Sequence, residues 1–222
     1  TAWQLGYNPQ AIYDEAAKWG LKNDRRVYCA PGLVIPHFYN GAPWFVNIRQ
    51  LNRDPKYLRS RGGRRGMLFG TPPHQGHPLL LLCEGEFDAL LAWQEAGDLC
   101  DVLALGGAKN RPAAAALIHL CQARVILAVL DADRAGQQGL TTLQQLSPRI
   151  TTITPPAHDL TDYWQQGGDL RYWIAQHSHP YLAHILETAT GVTDAPYLAW
   201  LSQYEKMLAI IEQGATKNAS SS

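Results

Sequence analysis

The sequence contains no long hydrophobic run. Although 46% of its 222 residues are hydrophobic, no apolar run approaches the roughly 18–20 residues that a membrane-spanning helix needs. The run at residues 78–83 has the length of a buried strand. The chain also starts at Thr1 without a basic and then apolar leader, so no signal peptide is expected. These absences predict a cytoplasmic protein with no membrane association.

Cysteine is scarce and scattered. The chain has four cysteines, and none of them forms a C-x-x-C pair, so the ligand spacing of a zinc site is missing. Cys83 and Cys121 lie in apolar surroundings and are expected to be buried thiols in a reducing compartment. The sequence shows no internal repeat, and no Walker A motif follows its central region, so it predicts no helicase domain here.

Net charge is also absent, but the two signs are unevenly distributed. Residues 1–75 hold 11 Lys and Arg against four Asp and Glu, which gives +7, and residues 76–222 hold eight against 15, which gives −7. This asymmetry is expected of a basic surface for a polyanion together with an acidic site for cations. Ordinary solvated faces would give the same counts, and charge alone leaves both interpretations open.

The first 75 residues predict a small basic α+β subdomain. Asn8 as N-cap, Pro9 at the first helical position and Gly20 as a stop predict a short helix between them. Residues 32–38 and 43–51 predict two strands joined by a turn at Asn40-Gly41. Residues 53–66 are basic and glycine-rich and are expected to form a loop. Three prolines among residues 71–78 predict a linker between subdomains.

Strands and helices alternate after this linker. Strands are predicted at residues 79–83, 101–105, 124–130 and 150–153, and helices at 86–96, 112–121 and 136–146. Further helices are predicted at residues 160–164, 170–175, 181–188 and 196–211. Alternation with short connections predicts a parallel sheet flanked by helices, in which all strand carboxyl ends lie at one edge. We therefore predict three parts: residues 1–75, residues 76–178 with this α/β sheet, and a helical extension with a polar tail at 179–222.

Acidic residues lie just beyond the predicted strands. Glu84 follows the first strand, Asp131 ends the third, Asp133 comes two residues later, and Asp159 follows the fourth. Carboxylates held close together repel one another unless a cation neutralises them, and their hard oxygens suit Mg²⁺ or Mn²⁺. Acids in the first turn of a helix also favour its dipole. Helix capping is therefore the alternative for Asp131 and Asp133, but the position of this pair and of Glu84 at strand ends of one sheet favours a metal site.

Two ordered motifs carry a family resemblance. The segment Glu84-Gly85-Glu86-Phe87-Asp88 resembles the E-G-x-x-D motif of Toprim domains, and residues 130–136 resemble their D-x-D-x-A-G motif. Toprim domains occur in bacterial replicative primases, phage primase-helicases, topoisomerases of types IA and II, overcoming-lysogenization-defect nucleases and recombination-mediator proteins. The resemblance implies a Toprim-like α/β fold that binds divalent metal for chemistry on nucleic acid.

The flanking segments favour primases among these proteins. Lys56-Tyr57-Leu58, followed by residues 67–70, is similar to the K-Y-L and L-Y/F-G segments that precede the Toprim unit of primases. Residues 32–36 resemble the strand that opens that region, residues 104–107 match the turn between the two acidic motifs, and residues 158–163 are similar to a K-D-x-N-D-Y segment. The resemblance covers residues 32–173 and implies a primase catalytic core of compact phage or plasmid type.

The resemblance also implies roles for individual residues. Glu84, Asp131 and Asp133 would be the catalytic, metal-binding acids, and Asp88 and Asp159 would join the site, with Mg²⁺ or Mn²⁺ as cofactor. Incoming nucleotides or template would contact a set of basic residues, although solvated, solubilising side chains are the alternative for them: Lys56, Arg49, Arg59, Arg61, Arg64 and Arg65. The implied partners are single-stranded DNA template and nucleoside triphosphates, with a helicase or zinc-binding module on the full-length protein.

Two other functions remain open from the sequence. A Toprim nuclease would use similar acids to cleave nucleic acid, but the Lys56-Tyr57-Leu58 segment argues against it because such nucleases lack that flank. A non-catalytic nucleic-acid-binding module would not need the acids that both motifs retain. His158 is a departure from the primase pattern, because it stands where Lys is usual.

Overall fold

The computed structural model describes residues 3–19, 21–22, 26–39, 41–61, 66–70 and 76–188, and the single residues 202, 205, 206 and 209. Arg64 and Arg65, and residues 196–211 apart from those four, lie outside the described residues. The chain divides into two compact units. The N-terminal unit holds residues 1–73 with 110–117, and the C-terminal unit holds residues 74–109 with 118–222. The boundaries at residues 75 and 178 stay predictions.

The N-terminal unit is built from short antiparallel strands. In chain order these are β1 (Gly6–Asn8), β2 (Ile12–Glu15), β3 (Arg26–Cys29), β4 (Gly32–Tyr39), β5 (Ala42–Arg49) and β6 (Tyr57–Arg59). β1, β4, β5 and β6 form one sheet in the order β1-β4-β5-β6, and β2 pairs with β3 in a separate ribbon. The predicted pair of strands at residues 32–38 and 43–51 is confirmed as β4 and β5.

The helix predicted between Asn8 and Gly20 is wrong. Residues 12–15 pair with β3 as a strand, and a 3-10 helix, Ala16–Trp19, is the helical segment that follows. The Asn8 side chain does not cap a helix, since its Nδ2 donates to the Ala30 carbonyl at 2.7 Å. Cross-strand pairing has therefore overridden the local capping signals.

The basic loop predicted at residues 53–66 contains a strand. β6 pairs with β5 in the register Asn47↔Arg59, Ile48↔Leu58 and Arg49↔Tyr57. Paired residues point to the same face of a sheet, so Asn47, Arg49, Tyr57 and Arg59 share one face. Ile35, Phe45, Ile48 and residues 67–69 form the buried core of this unit.

The C-terminal unit contains the predicted parallel sheet. Its strands are β7 (Leu79–Cys83), β8 (Asp101–Ala104), β9 (Val125–Val129) and β10 (Ile150–Ile153), in the order β10-β9-β7-β8. All their pairings are parallel, and β7, β8 and β9 are buried along their whole length. Complete burial explains why β7 and β9 are uniformly apolar rather than alternating.

In the part of the chain up to residue 188 that the structure describes, helices alternate with these strands and follow them. These helices are α1 (Glu86–Ala96), α2 (Ala114–Gln122), α3 (Arg134–Gln144), α4 (Leu160–Gln165) and α5 (Leu170–Thr188). α1 packs on β7 and β8 and contacts α4 and α5, whereas α3 packs on β9 and β10. The two helices predicted at residues 170–175 and 181–188 are one helix, which continues through Pro180.

One of the two expectations about buried cysteines is wrong. Cys83 is buried as predicted, but Cys121 is exposed near the end of α2. None of the helices in the described part of the chain combines the length and apolarity that crossing a bilayer requires.

Candidate functional site

Two of the predicted acids meet at the carboxyl ends of neighbouring strands. Glu84 directly follows β7, and Asp131 lies two residues after β9. These strands pair in parallel with Cys83 opposite Val129, so both acids leave the sheet at the same edge. The Glu84 side chain reaches across, and its Oε2 accepts a hydrogen bond from the Asp131 backbone N–H at 3.2 Å. Glu84 therefore fixes the backbone from which the Asp131 carboxylate projects.

The turn after β8 holds Glu84 in place. The backbone N–H groups of Gly106 and Gly107 both donate to the Glu84 carbonyl, at 2.9 and 3.0 Å. Both glycines have positive φ, 73° and 131°, which residues with a side chain rarely adopt. The predicted small-residue turn thus has a structural role in positioning the first motif.

The start of α3 packs directly against Asp131. Asp133 is the N-cap residue, and its Oδ1 accepts from the Gly136 backbone N–H at 2.7 Å. A Cβ added at Gly136 would lie 2.0 Å from the Asp131 carbonyl oxygen, which no side chain can do without moving the backbone. The glycine of the second motif therefore allows the helix to begin beside the acid. The Asp133 carboxylate is exposed and serves as the helix cap.

A third loop joins this edge after β10. The Ala132 backbone N–H donates to the His158 carbonyl at 2.8 Å, which ties the Asp131 loop to residues 158–159. Asp159 caps α4, because its Oδ1 accepts from the Asp162 backbone N–H at 2.6 Å. Asp131, His158 and Asp159 each offer a donor atom, and within the described residues these atoms lie within 4.8 Å of one another.

Asp88 supports the site from α1. Its side chain is buried, and Oδ1 accepts two hydrogen bonds from Thr161, from the backbone N–H at 3.0 Å and from the hydroxyl at 2.7 Å. Asp88 thereby connects α1 to the first turn of α4, next to Asp159. The structure places it as a support behind the exposed edge.

The crowding of these acids changes their electrostatics. Burial, together with the negative charges of Glu84, Asp88 and Asp159, raises the pKa of Asp131 to about 7, and His158 opposes the shift. Burial also raises the pKa of Asp88, with Asp159 and Glu84 contributing, against the hydrogen bonds from Thr161. A carboxylate group with such a raised pKa gains stability from a nearby cation.

Four of the predicted basic residues are described, all in the N-terminal unit, and two of them rest on aromatic rings. Arg49 Nη1 donates to the Tyr57 hydroxyl at 2.6 Å, and its guanidinium lies 5.4 Å from that ring's centroid. Arg59 Nε donates to Asn47 Oδ1 at 3.2 Å, and its guanidinium lies 4.2 Å from the Phe45 ring. Lys56 and Arg61 are exposed. The two arginines are thus held in defined positions on one sheet face.

Residues 81–163 match the family model described as Toprim-like. These residues form a Toprim-like domain. The matched segment includes all five predicted acids, from Glu84 to Asp159. None of the curated proteins compared with the chain matches it.

Solved primase structures share the fold of this chain. It is similar to the primase fragment of the bacteriophage T7 primase-helicase protein, with a TM-score of 0.52 and 19% identity over 72% of this chain and 73% of that one. It is similar to the RNA polymerase domain of Mycobacterium tuberculosis primase DnaG, with a TM-score of 0.55 and 17% identity over 76% and 66% of the two chains.

A third similar structure shows T7 lagging-strand DNA polymerase with primase domains of two gp4 subunits, bound to an RNA/DNA hybrid and dTTP. Its TM-score is 0.51, with 18% identity over 71% of this chain and 87% of that one. These likenesses show that the chain has the fold of a Toprim primase core. The expected fold class is confirmed.

Two residues of the Toprim-like site were not predicted as part of it. His158 lies in the segment before α4 and forms, with Asp131 and Asp159, a donor group of three possible metal ligands. Thr161 donates a hydrogen bond from its hydroxyl to the buried Asp88. Both lie in the segment that resembles K-D-x-N-D-Y, so the resemblance marks the region but not their roles. A lone histidine and a lone threonine carry no spacing signal of their own.

Proposed function

We propose that this chain is the catalytic core of a DNA primase, which synthesises short primers on single-stranded DNA with a divalent metal. The observation that supports this most is the convergence of Asp131, Asp159 and His158 at one sheet edge, with Glu84 bonded to the Asp131 backbone. The Toprim-like match and the fold shared with primase structures agree with it.

The residues at this edge fit a divalent metal. Three donor atoms lie within 4.8 Å of one another, and the pKa of Asp131 is raised by burial and, in addition, by the negative charges of neighbouring acids. Asp131 and Asp159 would hold the ion, and Glu84, Asp133 and Asp88 complete the proposed acidic site. When bound, Mg²⁺ or Mn²⁺ supplies charge neutralisation for the attacking and leaving oxygens of a phosphoryl transfer.

The protein's own contribution to this reaction is positioning. In primer synthesis, the 3′-hydroxyl of one nucleotide attacks the α-phosphorus of the next triphosphate, and pyrophosphate leaves. Glu84 and Gly136 fix the Asp131 backbone from two sides, so the carboxylate needs little reorganisation. Positioning and electrostatics provide most of the rate in phosphoryl transfer.

The basic residues of the N-terminal unit are proposed to contact phosphates of the template or of incoming nucleotides. Arg49 and Arg59 are held on Tyr57 and Phe45, which fixes both guanidinium groups in place before a phosphate arrives. A planar guanidinium suits bidentate phosphate contacts. Lys56 and Arg61 would add further charge from exposed positions.

The test is a primer-synthesis assay on single-stranded DNA with labelled nucleotides, in Mg²⁺, in Mn²⁺ and in EDTA. We expect metal-dependent, template-directed oligonucleotides. Asp131→Asn should reduce their yield by at least about a hundredfold, since it removes charge stabilisation at the site. Glu84→Gln should give a similar loss.

Asp169→Asn is the matched control. Asp169 is an exposed acid of the same unit that caps α5, and Asn preserves capping. Primer synthesis unchanged by Asp131→Asn, with the fold intact by circular dichroism, would contradict the proposed site. Template shortened without primer product would instead identify a nuclease, and nucleic-acid binding with neither product would identify a non-catalytic module.

A further inference from the structure

The donor group at the candidate metal site contains a nitrogen. His158 Nδ1 lies 3.7 Å from Asp159 Oδ2, and Asp131 completes a group whose donor atoms lie within 4.8 Å. A separation of 3.7 Å is too long for a direct hydrogen bond. It is short enough for both atoms to bond one ion at about 2.1 Å each.

The backbone holds His158 in this position. Its carbonyl accepts from the Ala132 N–H at 2.8 Å, so residue 158 is tied to the residue that follows Asp131. Asp159, directly after it, is fixed as the cap of α4. The imidazole is therefore carried by a segment anchored on both sides, although 56% of the side chain is exposed. Exposure leaves room for the ring to turn toward an ion at the edge.

The chemistry of imidazole separates Mn²⁺ from Mg²⁺. Mg²⁺ prefers oxygen ligands and retains its water, whereas first-row transition ions accept imidazole nitrogen readily. A site with oxygen donors alone discriminates weakly between the two ions. Replacing one oxygen or one water by an imidazole therefore favours Mn²⁺. A lysine at the same place, which the primase pattern would lead one to expect, is a cation and cannot serve as a ligand.

We propose that His158 is a metal ligand and that it makes this site prefer Mn²⁺ to Mg²⁺. This inference rests on the metal site of the proposed function and adds the identity of the ion to it. Asp131 and Asp159 supply two carboxylates, and His158 supplies the nitrogen that distinguishes the ions. Histidine at this position is therefore part of the cation site, whereas a lysine there would contact phosphate.

The test measures metal binding rather than primer synthesis. Binding of Mn²⁺ and of Mg²⁺ is measured by calorimetry on the unmodified chain, on His158→Ala and on His158→Lys. We expect the unmodified chain to prefer Mn²⁺, and His158→Ala to weaken Mn²⁺ binding by at least about tenfold. Mg²⁺ binding should change by less than about threefold in the same variant. His158→Lys should lose Mn²⁺ affinity as His158→Ala does.

A spectroscopic measurement gives an independent signature. Electron spin echo envelope modulation of bound Mn²⁺ should show a coupled imidazole nitrogen that disappears in His158→Ala. His179→Ala is the matched control, because His179 lies on α5 in the same unit and outside the donor group. This control should keep both the affinity and the nitrogen signal.

Some results would overturn the inference. The first is that the unmodified chain binds the two ions with equal affinity. The second is that the nitrogen signal remains in His158→Ala, and the third is that His158→Lys binds Mn²⁺ tightly. If Asp131→Asn abolishes Mn²⁺ binding while His158→Ala does not, the metal site stands and the role of His158 is wrong. Mn²⁺ bound through His158 without primer synthesis would support the inference and contradict the proposed function alone.

Discussion

Burial and neighbouring negative charges both disfavour ionisation of Asp131. Its pKa is raised to about 7 from an ordinary value of 3.8. The folded protein therefore binds this proton more strongly than the unfolded chain does. Between about pH 4 and pH 7 the folded state holds more protons, so the free energy of unfolding falls as pH rises. Above pH 7 the ionised carboxylate keeps its full destabilising effect unless a cation neutralises it.

The raised pKa of Asp131 predicts how the stability of the protein changes with pH. In EDTA, we expect the Tm of the unmodified chain to fall between pH 5 and pH 8 relative to that of Asp131→Asn, which has no charge to lose or gain. The two chains should have similar stability near pH 4, and the variant should be the more stable at pH 8. Adding Mn²⁺ at pH 8 should raise the Tm of the unmodified chain and leave that of the variant nearly unchanged.

Differential scanning fluorimetry across this pH range is the measurement. Asp169→Asn is again the control and should follow the unmodified chain. An Asp131→Asn curve parallel to that of the unmodified chain would show that Asp131 does not titrate as the geometry requires. A Tm that Mn²⁺ raises equally in both chains would place the bound ion elsewhere.

At the scale of elements, α3 is the helix whose start shapes the site. It begins with Asp133 as cap, and Gly136 sits against the Asp131 carbonyl. Alanine is intrinsically better than glycine in a helix by about 1 kcal/mol. In Gly136→Ala this preference is opposed by a Cβ that would lie 2.0 Å from a backbone oxygen. The steric clash should win, because the helix must move away from Asp131 to relieve it.

We therefore expect Gly136→Ala to destabilise the protein by about 1–3 kcal/mol and to weaken Mn²⁺ binding. Denaturant unfolding and calorimetry measure the two effects. Gln137→Ala, at an exposed position of the same helix, should change neither. A Gly136→Ala chain as stable as the original would mean that α3 does not approach Asp131 as closely as described.

The elements also show what the sequence could predict. β7 (Leu79–Cys83) and α1 (Glu86–Ala96) occur at the predicted residues, because a completely buried apolar strand and a long helix are strong local signals. The helix predicted between Asn8 and Gly20 failed, because pairing of β2 with β3 depends on residues distant in the sequence. Local propensity carries no information about such a partner.

The candidate site was also predictable from the sequence only in part. Glu84, Asp131 and Asp159 could be placed at one edge because each follows a strand of a parallel sheet, and this placement needs only topology. The group formed by His158 with Asp131 and Asp159 required the Ala132-to-His158 hydrogen bond, which no periodicity encodes. Likewise, Asp133 caps α3 in the structure, and the sequence could not separate capping from metal binding.

At the scale of the whole chain, positive and negative charge are carried by different parts of the sequence. Residues 1–75 have 11 basic and four acidic residues, and residues 76–222 have eight and 15. The arginines held on aromatic rings belong to the N-terminal unit, and the donor group belongs to the C-terminal unit. If the first binds nucleic acid and the second binds metal, then the two binding activities should be separable by mutation.

We predict that different variants lose nucleic-acid binding and metal binding. Arg59→Gln keeps a long side chain but removes the charge, and we expect it to weaken binding of a single-stranded DNA oligonucleotide measured by fluorescence anisotropy. The logarithmic slope of its salt dependence should be less steep by about 0.7 for each phosphate that Arg59 neutralises in the unmodified chain. Its Mn²⁺ affinity should be unchanged.

Asp131→Asn should show the opposite pattern, with DNA bound normally and Mn²⁺ bound weakly. Lys206→Ala, which removes an exposed cation of the C-terminal unit, is the control for removal of charge alone. An unchanged slope for Arg59→Gln would contradict a phosphate interaction there, and loss of DNA binding in Asp131→Asn would show that the two activities are not separate.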